Sequence, residues 1–193
     1  MFRELGAHVL SADEIARGLM QPGEAVFAAI VKKFGESMLR EDGTLDRPLL
    51  ARVAFEGGLV EELNRIVHPA TIAKQEELTA EIFANDPDAV VMVESALIFE
   101  TRHSRGWRLR FDKLILVRAT EAAKIARFIA RSGGGTSAEE AAKLEGEARR
   151  RLATLIADDK KAVLCDFVIM NDGGLERMRE QVEKVWAKLR PAS

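Results

Sequence analysis

Ala89-Val90-Val91-Met92-Val93-Glu94-Ser95-Ala96-Leu97-Ile98-Phe99-Glu100 is the stretch on which the fold turns. Five apolar residues leave the turn signal Asn85-Asp86-Pro87-Asp88 with no polar alternation. An unbroken β-branched run of this kind predicts a strand buried on both faces, as in a parallel sheet. It ends on a carboxylate, Glu94, where the chain leaves the sheet. Ligand crevices of open α/β sheets lie at the carboxyl ends of their strands, so residues 94–100 are the first candidates to line a site.

Further apolar runs at 7–10, 113–118 and 167–170 extend the same sheet. Met1-Phe2-Arg3-Glu4-Leu5 reads as a last helical turn capped by Gly6. Ser11-Ala12-Asp13-Glu14 is a capping box, which puts Asp13 in the first turn of a helix just past a strand end. There it either complements the helix dipole or points into the crevice. Helical spacing recurs over 24–34 and, with breaks at Gly57-Gly58 and Pro69, over 45–83. One helix is expected to end near His68 and another to begin at Pro69. An all-helical insertion between two strands suits a lid or a substrate-binding subdomain.

Beyond the central strand, Thr101 to Arg110 is a basic loop, read as solvated or facing a substrate phosphate. Thr120 opens a helix with Lys124, Arg127 and Arg131 on one face. Ser132-Gly133-Gly134-Gly135-Thr136 follows a helix and does not fit G-x-x-x-x-G-K-[ST], so it is rejected as a phosphate-binding loop. Ser137 and Glu140 form a second capping box. Leu144, Ala148, Leu152 and Ile156 then mark an apolar face, with Arg149, Arg150 and Arg151 beside it. Leu175, Met178, Val182, Val185, Trp186 and Leu189 lie at core-facing spacing in the last helix.

The 193 residues, 47% hydrophobic and 31% charged, suit one soluble domain, with room for a small subdomain. A net charge of −2 gives no general reason to expect nucleic acid as a partner. No apolar run reaches the ~18 residues of a membrane span. Cys165 is the single cysteine, so no intrachain disulfide can form, in keeping with a reducing cytoplasm. It sits in an apolar run and reads as core packing, not as a nucleophile.

Strand, helix, helical insertion, strand, strand, arginine-bearing helices, strand, helix suggests a nucleotide-kinase-like α/β fold. Local segments resemble the dephospho-coenzyme A kinase family, in family order. Leu10-Ser11-Ala12-Asp13-Glu14-Ile15-Ala16-Arg17 is similar to its D-A-D-x-I-A-R, and Pro22-Gly23 to the following P-G. Phe34-Gly35 and Asp42-Gly43-Thr44-Leu45-Asp46-Arg47 resemble its F-G and D-G-x-L-D-R. His68-Pro69 matches its L-H-P, and Val93 to Glu100 its D-x-P-L-L-F-E. Asp166 to Gly173 resembles its D-x-V-I-D-N-x-G.

The resemblance implies ATP-dependent phosphorylation, with Mg²⁺, of the ribose 3′-hydroxyl of dephospho-coenzyme A, the last step of coenzyme A synthesis. It implies a P-loop-kinase-like parallel sheet flanked by helices, in a single domain over 1–193. Residues 45–84 would be the helical substrate-binding insertion and 124–160 the lid. Asp13 would accept or orient the hydroxyl proton. Arg17, Arg47, His68, Phe99 and Glu100 would seat dephospho-coenzyme A. Arg127 and Arg131 would face the ATP phosphates, with Asn171 and Gly173 near the adenine. No protein residue is assigned as a metal ligand.

Five departures accompany the match. Ser11 replaces the first Asp of D-A-D, Glu94 and Ala96 replace the Asp and Pro of D-x-P-L-L, and Leu155 stands near a usual Gln. The family's opening strand and G-x-x-x-x-G-K-[ST] loop have no counterpart in residues 1–193. The expectation is therefore a start assigned at an internal methionine, and a sheet from which the first, central strand is absent. The alternative is a remnant that binds a coenzyme A-like ligand or a protein partner without catalysis.

Overall fold

The computed structural model describes residues 1–96, 98–99, 107–134 and 137–189. It divides into two compact units, Phe2–Ala96 and Leu97–Ser193, Met1 counting with the latter. The four strands fall close to their expected positions. They pair as two separate two-stranded parallel sheets, one in each unit, and not as one sheet. The sequence leads one to expect a parallel sheet with its first, central strand absent, and among the described residues no strand hydrogen-bonds to both pairs.

In the first unit, a 3₁₀ turn at Arg3–Leu5 ends on Gly6 at φ 105°, a left-handed conformation that glycine adopts without a Cβ penalty. β1 (His8–Ser11) runs parallel to β2 (Val91–Glu94), in the register His8↔Val91 to Ser11↔Glu94. Between them come α1 (Ala12–Leu19), α2 (Ala25–Phe34), α3 (Arg47–Glu56) and α4 (Val60–Asn85). Ser11 caps α1, its Oγ accepting the Glu14 N–H at 3.4 Å. Asp46 caps α3, accepting the Leu49 N–H at 3.0 Å. Val26 and Ile30 of α2, Met38, Leu45, Leu50 of α3 and Val67 of α4 make one apolar core.

Ile30 is fully buried in that core. Ile30→Ala is expected to cost about 2–5 kcal/mol of stability, through lost burial plus a residual cavity. A denaturant titration followed by circular dichroism reads the change.

Pro69 does not end a helix: α4 runs through it for 26 residues. A proline in a helix interior removes one N–H and costs about 3 kcal/mol. Tertiary packing overrides that local penalty, because α4 buries Val67, Thr71 and Gln75. Thr71 Oγ1 also donates to the Val67 carbonyl at 2.8 Å.

The second unit contains α5 (Trp107–Arg110), β3 (Ile115–Arg118), α6 (Glu121–Arg131), α7 (Ala138–Ala153), α8 (Asp158–Ala162), β4 (Phe167–Met170) and α9 (Leu175–Leu189). β3 and β4 are parallel, from Ile115↔Phe167 to Arg118↔Met170. Ile169 is fully buried, and α9 packs on β4, burying its own Val182 and Val185. Gln181 of α9 finishes β4, accepting the Met170 N–H at 2.9 Å and donating to the Met170 carbonyl at 3.1 Å. Two residues expected on apolar faces lie elsewhere. Leu175 starts α9 in solvent at 76% exposure, and Ile156 lies past the end of α7 at 38%.

Asp166 ties the two strand starts together. Its Oδ2 accepts the Leu114 N–H at 2.8 Å and its Oδ1 the Lys113 ammonium at 3.0 Å. These two donors, the backbone N–H foremost, hold its carboxyl below the usual carboxylate range. A carboxylate with a depressed folded-state pKa contributes stability above its unfolded value, near 3.9, and loses it as pH falls through the folded value. The denaturation midpoint is therefore expected to drop on acidification below about pH 4, and Asp166→Asn to flatten that acid limb. Urea titrations across this range check it.

Candidate active site

In the first unit, the register sets the ends of the parallel strands side by side, Ser11 against Glu94. Asp13 follows in the first turn of α1. Arg17, one turn on, lies 3.7 Å from the Asp13 carboxylate. The Asp13 side chain is 88% exposed, so the carboxylate is open to a ligand and the ion pair is weak. Ser11, where the family has Asp, is committed to capping. Among the described residues no group of three or more His, Cys, Asp or Glu side chains could hold a metal ion. Mg²⁺ commonly takes only one or two protein carboxylates and fills the rest of its shell with water and substrate oxygens. Exposed Glu94 and Asp13 are the carboxylates at this strand end.

Arg47 is the first residue of α3 and exposed, and His68 lies half-buried on α4. Asp46, Pro48, Leu49 and Arg52 line a shallow cavity of about 420 Å³ at the start of α3. Phe99 belongs to the other unit, in a turn, half-buried. Glu100 lies outside the described residues, as does the basic loop from Thr101 to Gly106.

The second unit holds the better-formed site, a cavity of about 440 Å³ at the carboxyl ends of β3 and β4. Three of the four residues expected to meet nucleotide come together there: Arg127 and Arg131 of α6, and Asn171 just after β4. Arg127 Nη2 donates to the Asn171 carbonyl at 2.7 Å and to its Oδ1 at 3.1 Å, fixing the guanidinium with neutral oxygens only. Gly173, two residues on, is not among the lining residues. Thr120 caps α6 by accepting the Ala123 N–H at 3.2 Å, which sets where the helix starts and so which face meets the cavity.

Arg118, Lys124, Phe128 and Arg151 also line the cavity and were not assigned to a site from sequence. Lys124 had a signal, its shared face with Arg127 and Arg131. Arg151 had little, being one of three consecutive arginines. In the structure its guanidinium sits 5.1 Å from the Phe128 ring centroid. Arg149, next but one, instead bridges Glu121 at 2.7 Å and Glu145 at 2.8 Å, joining α7 to α6. Burial, then the Asp166 charge, pushes the Cys165 thiol up, against the opposing pull of Lys161.

The second unit is thus an α/β arrangement whose parallel strands end at a cavity lined by arginine and lysine side chains. The family model for CoaE, dephospho-CoA kinase, matches residues 1–177, and the chain belongs to that family. A dephospho-CoA kinase of Symbiobacterium thermophilum is 37% identical over 96% of this chain and 72% of its own length. One from Syntrophotalea carbinolica is 35% identical over 99% of this chain and 84% of its own. Among solved structures, a Thermus thermophilus protein superposes with a TM-score of 0.70 at 26% identity, covering 98% of this chain and 88% of that one. A dephospho-CoA kinase from Campylobacter jejuni shares the fold at a TM-score of 0.65 and 23% identity, over 97% of this chain and 87% of that one.

Proposed function

We propose that this chain carries the acceptor-activating and nucleotide-holding residues of a dephospho-coenzyme A kinase, transferring the γ-phosphoryl of ATP to the ribose 3′-hydroxyl. Family membership supports the reaction class. The observation that carries the residue assignment is the cavity that joins Arg127, Arg131 and Asn171.

Phosphoryl transfer asks little covalent chemistry of the protein, so catalysis rests on positioning and on charge placed where it develops. Arg127 and Arg131 supply fixed positive charge to the phosphates, and Asn171, held by Arg127, borders the same nucleotide site. Asp13 accepts the proton of the attacking 3′-hydroxyl; its exposure leaves the carboxylate open to substrate. Arg17, Arg47, His68, Phe99 and Glu100 seat dephospho-coenzyme A. Mg²⁺ accompanying ATP would supply further positive charge to the phosphates.

The second reading is binding of a coenzyme A-like ligand or a protein partner without catalysis. An assay of ATP-dependent 3′-phosphorylation of dephospho-coenzyme A separates the two. Turnover that is lost with Arg131→Gln supports the kinase assignment. Ligand binding with no turnover, in residues 1–193 and in a version carrying a phosphate loop alike, supports the other.

A further inference from the structure

Five cationic side chains line the cavity of the second unit: Arg118, Lys124, Arg127, Arg131 and Arg151. They are not equally available to an anion. Arg151 pairs with Glu147 one turn back on α7. Arg118 pairs with Asp159 at 2.9 Å, and Lys124 with Asp158 at 2.5 Å. Both aspartates stand in the first turn of α8, so one short helix grips two cations from two other elements, the end of β3 and α6. Arg127 has only the neutral oxygens of Asn171, and Arg131 has no ion pair or hydrogen bond among the described residues.

The two α8 pairs differ in shielding. The Asp159 side chain is 85% exposed, so solvent screens its hold on Arg118. Asp158 and Lys124 are 20% and 32% exposed, which leaves that pair far less screened. A lysine held in this way is a neutralised wall of the cavity, not a free phosphate ligand.

We infer that Asp158 is a positioning residue that withholds Lys124 from the bound anion, so that the phosphate-binding charge of the cavity is set by Arg127 and Arg131. The inference rests on reading the cavity as a phosphate site, and the test tells the two failures apart. Asp158 touches no ligand. It acts through Lys124, limiting how tightly a polyphosphate is held and so how readily the product leaves.

The test is calorimetric titration of the 193-residue chain with inorganic tripolyphosphate, with folding of each variant checked by circular dichroism. Arg131→Gln is expected to weaken binding about 10- to 100-fold, the loss of a charge-assisted contact. Lys124→Gln is expected to change it less than about twofold, since the lost cation was already neutralised. Asp158→Asn is expected to tighten it about two- to fivefold, because Lys124 is released toward the anion. A pair with only a structural role would lower the melting temperature in both variants and leave affinity unmoved in both. That outcome overturns the inference, as does Lys124→Gln weakening binding as much as Arg131→Gln. If Asp158→Asn does not fold, the contrast between Lys124→Gln and Arg131→Gln still decides it. No effect of Arg131→Gln removes the phosphate-site reading, and the inference with it.

Discussion

Residues 1–193 alone are expected to phosphorylate dephospho-coenzyme A at least about 10²-fold more slowly than the same residues joined to an N-terminal strand and a G-x-x-x-x-G-K-[ST] loop. Such a loop wraps the phosphates with backbone N–H groups, a lysine and the hydroxyl that holds Mg²⁺. Loss of one preorganised donor to developing charge costs roughly 10²–10³ in rate, and several act together here. Arg127 and Arg131 supply charge but no metal hydroxyl and no cradle of amides. The measurement is ATP-dependent 3′-phosphorylation by both lengths at equal concentration. Equal rates would mean that the phosphate site lies elsewhere in this chain, and the mechanism would have to be rebuilt.

In the longer protein, Asp13→Asn is expected to lower turnover by about 10²–10⁴, with much smaller changes in the affinity of either substrate. The amide keeps the size of the side chain and part of its hydrogen bonding but cannot take a proton. It also keeps the start of α1 intact, since the cap is the Ser11 hydroxyl and not the Asp13 carboxylate. Steady-state kinetics with each substrate varied separate turnover from binding. Turnover within about twofold of the parent falls outside the range for general-base loss and would remove Asp13 from the proton-accepting role.

The elements of the chain are legible in the sequence to different degrees. Three helix starts are legible from their side-chain caps: Ser11, Thr120 and Ser137 each accept the expected backbone N–H, whereas the Asp46 cap of α3 is not read from the sequence. Capping is local, so three residues suffice to show it. Pro69 misled for the same reason. The local rule predicts a break, whereas burial of Val67, Thr71 and Gln75 by neighbouring helices keeps α4 continuous. Leu175 misled because helical spacing says which residues share a face, not how far along the helix a partner extends.

The sequence by itself determined the family, the four strands and most helix boundaries, because motif order, capping chemistry and apolar runs are written over short distances. Only the tertiary structure decided that the strands pair two and two and that Arg118 and Arg151 complete the cavity wall. It alone decided that Lys124, although on the same helical face as Arg127 and Arg131, is taken by Asp158. Ion pairs between residues 34 apart, such as Lys124 with Asp158, and parallel pairing across 52 residues, such as Ile115 with Phe167, depend on how elements pack, and no local pattern encodes which of several nearby charges will meet.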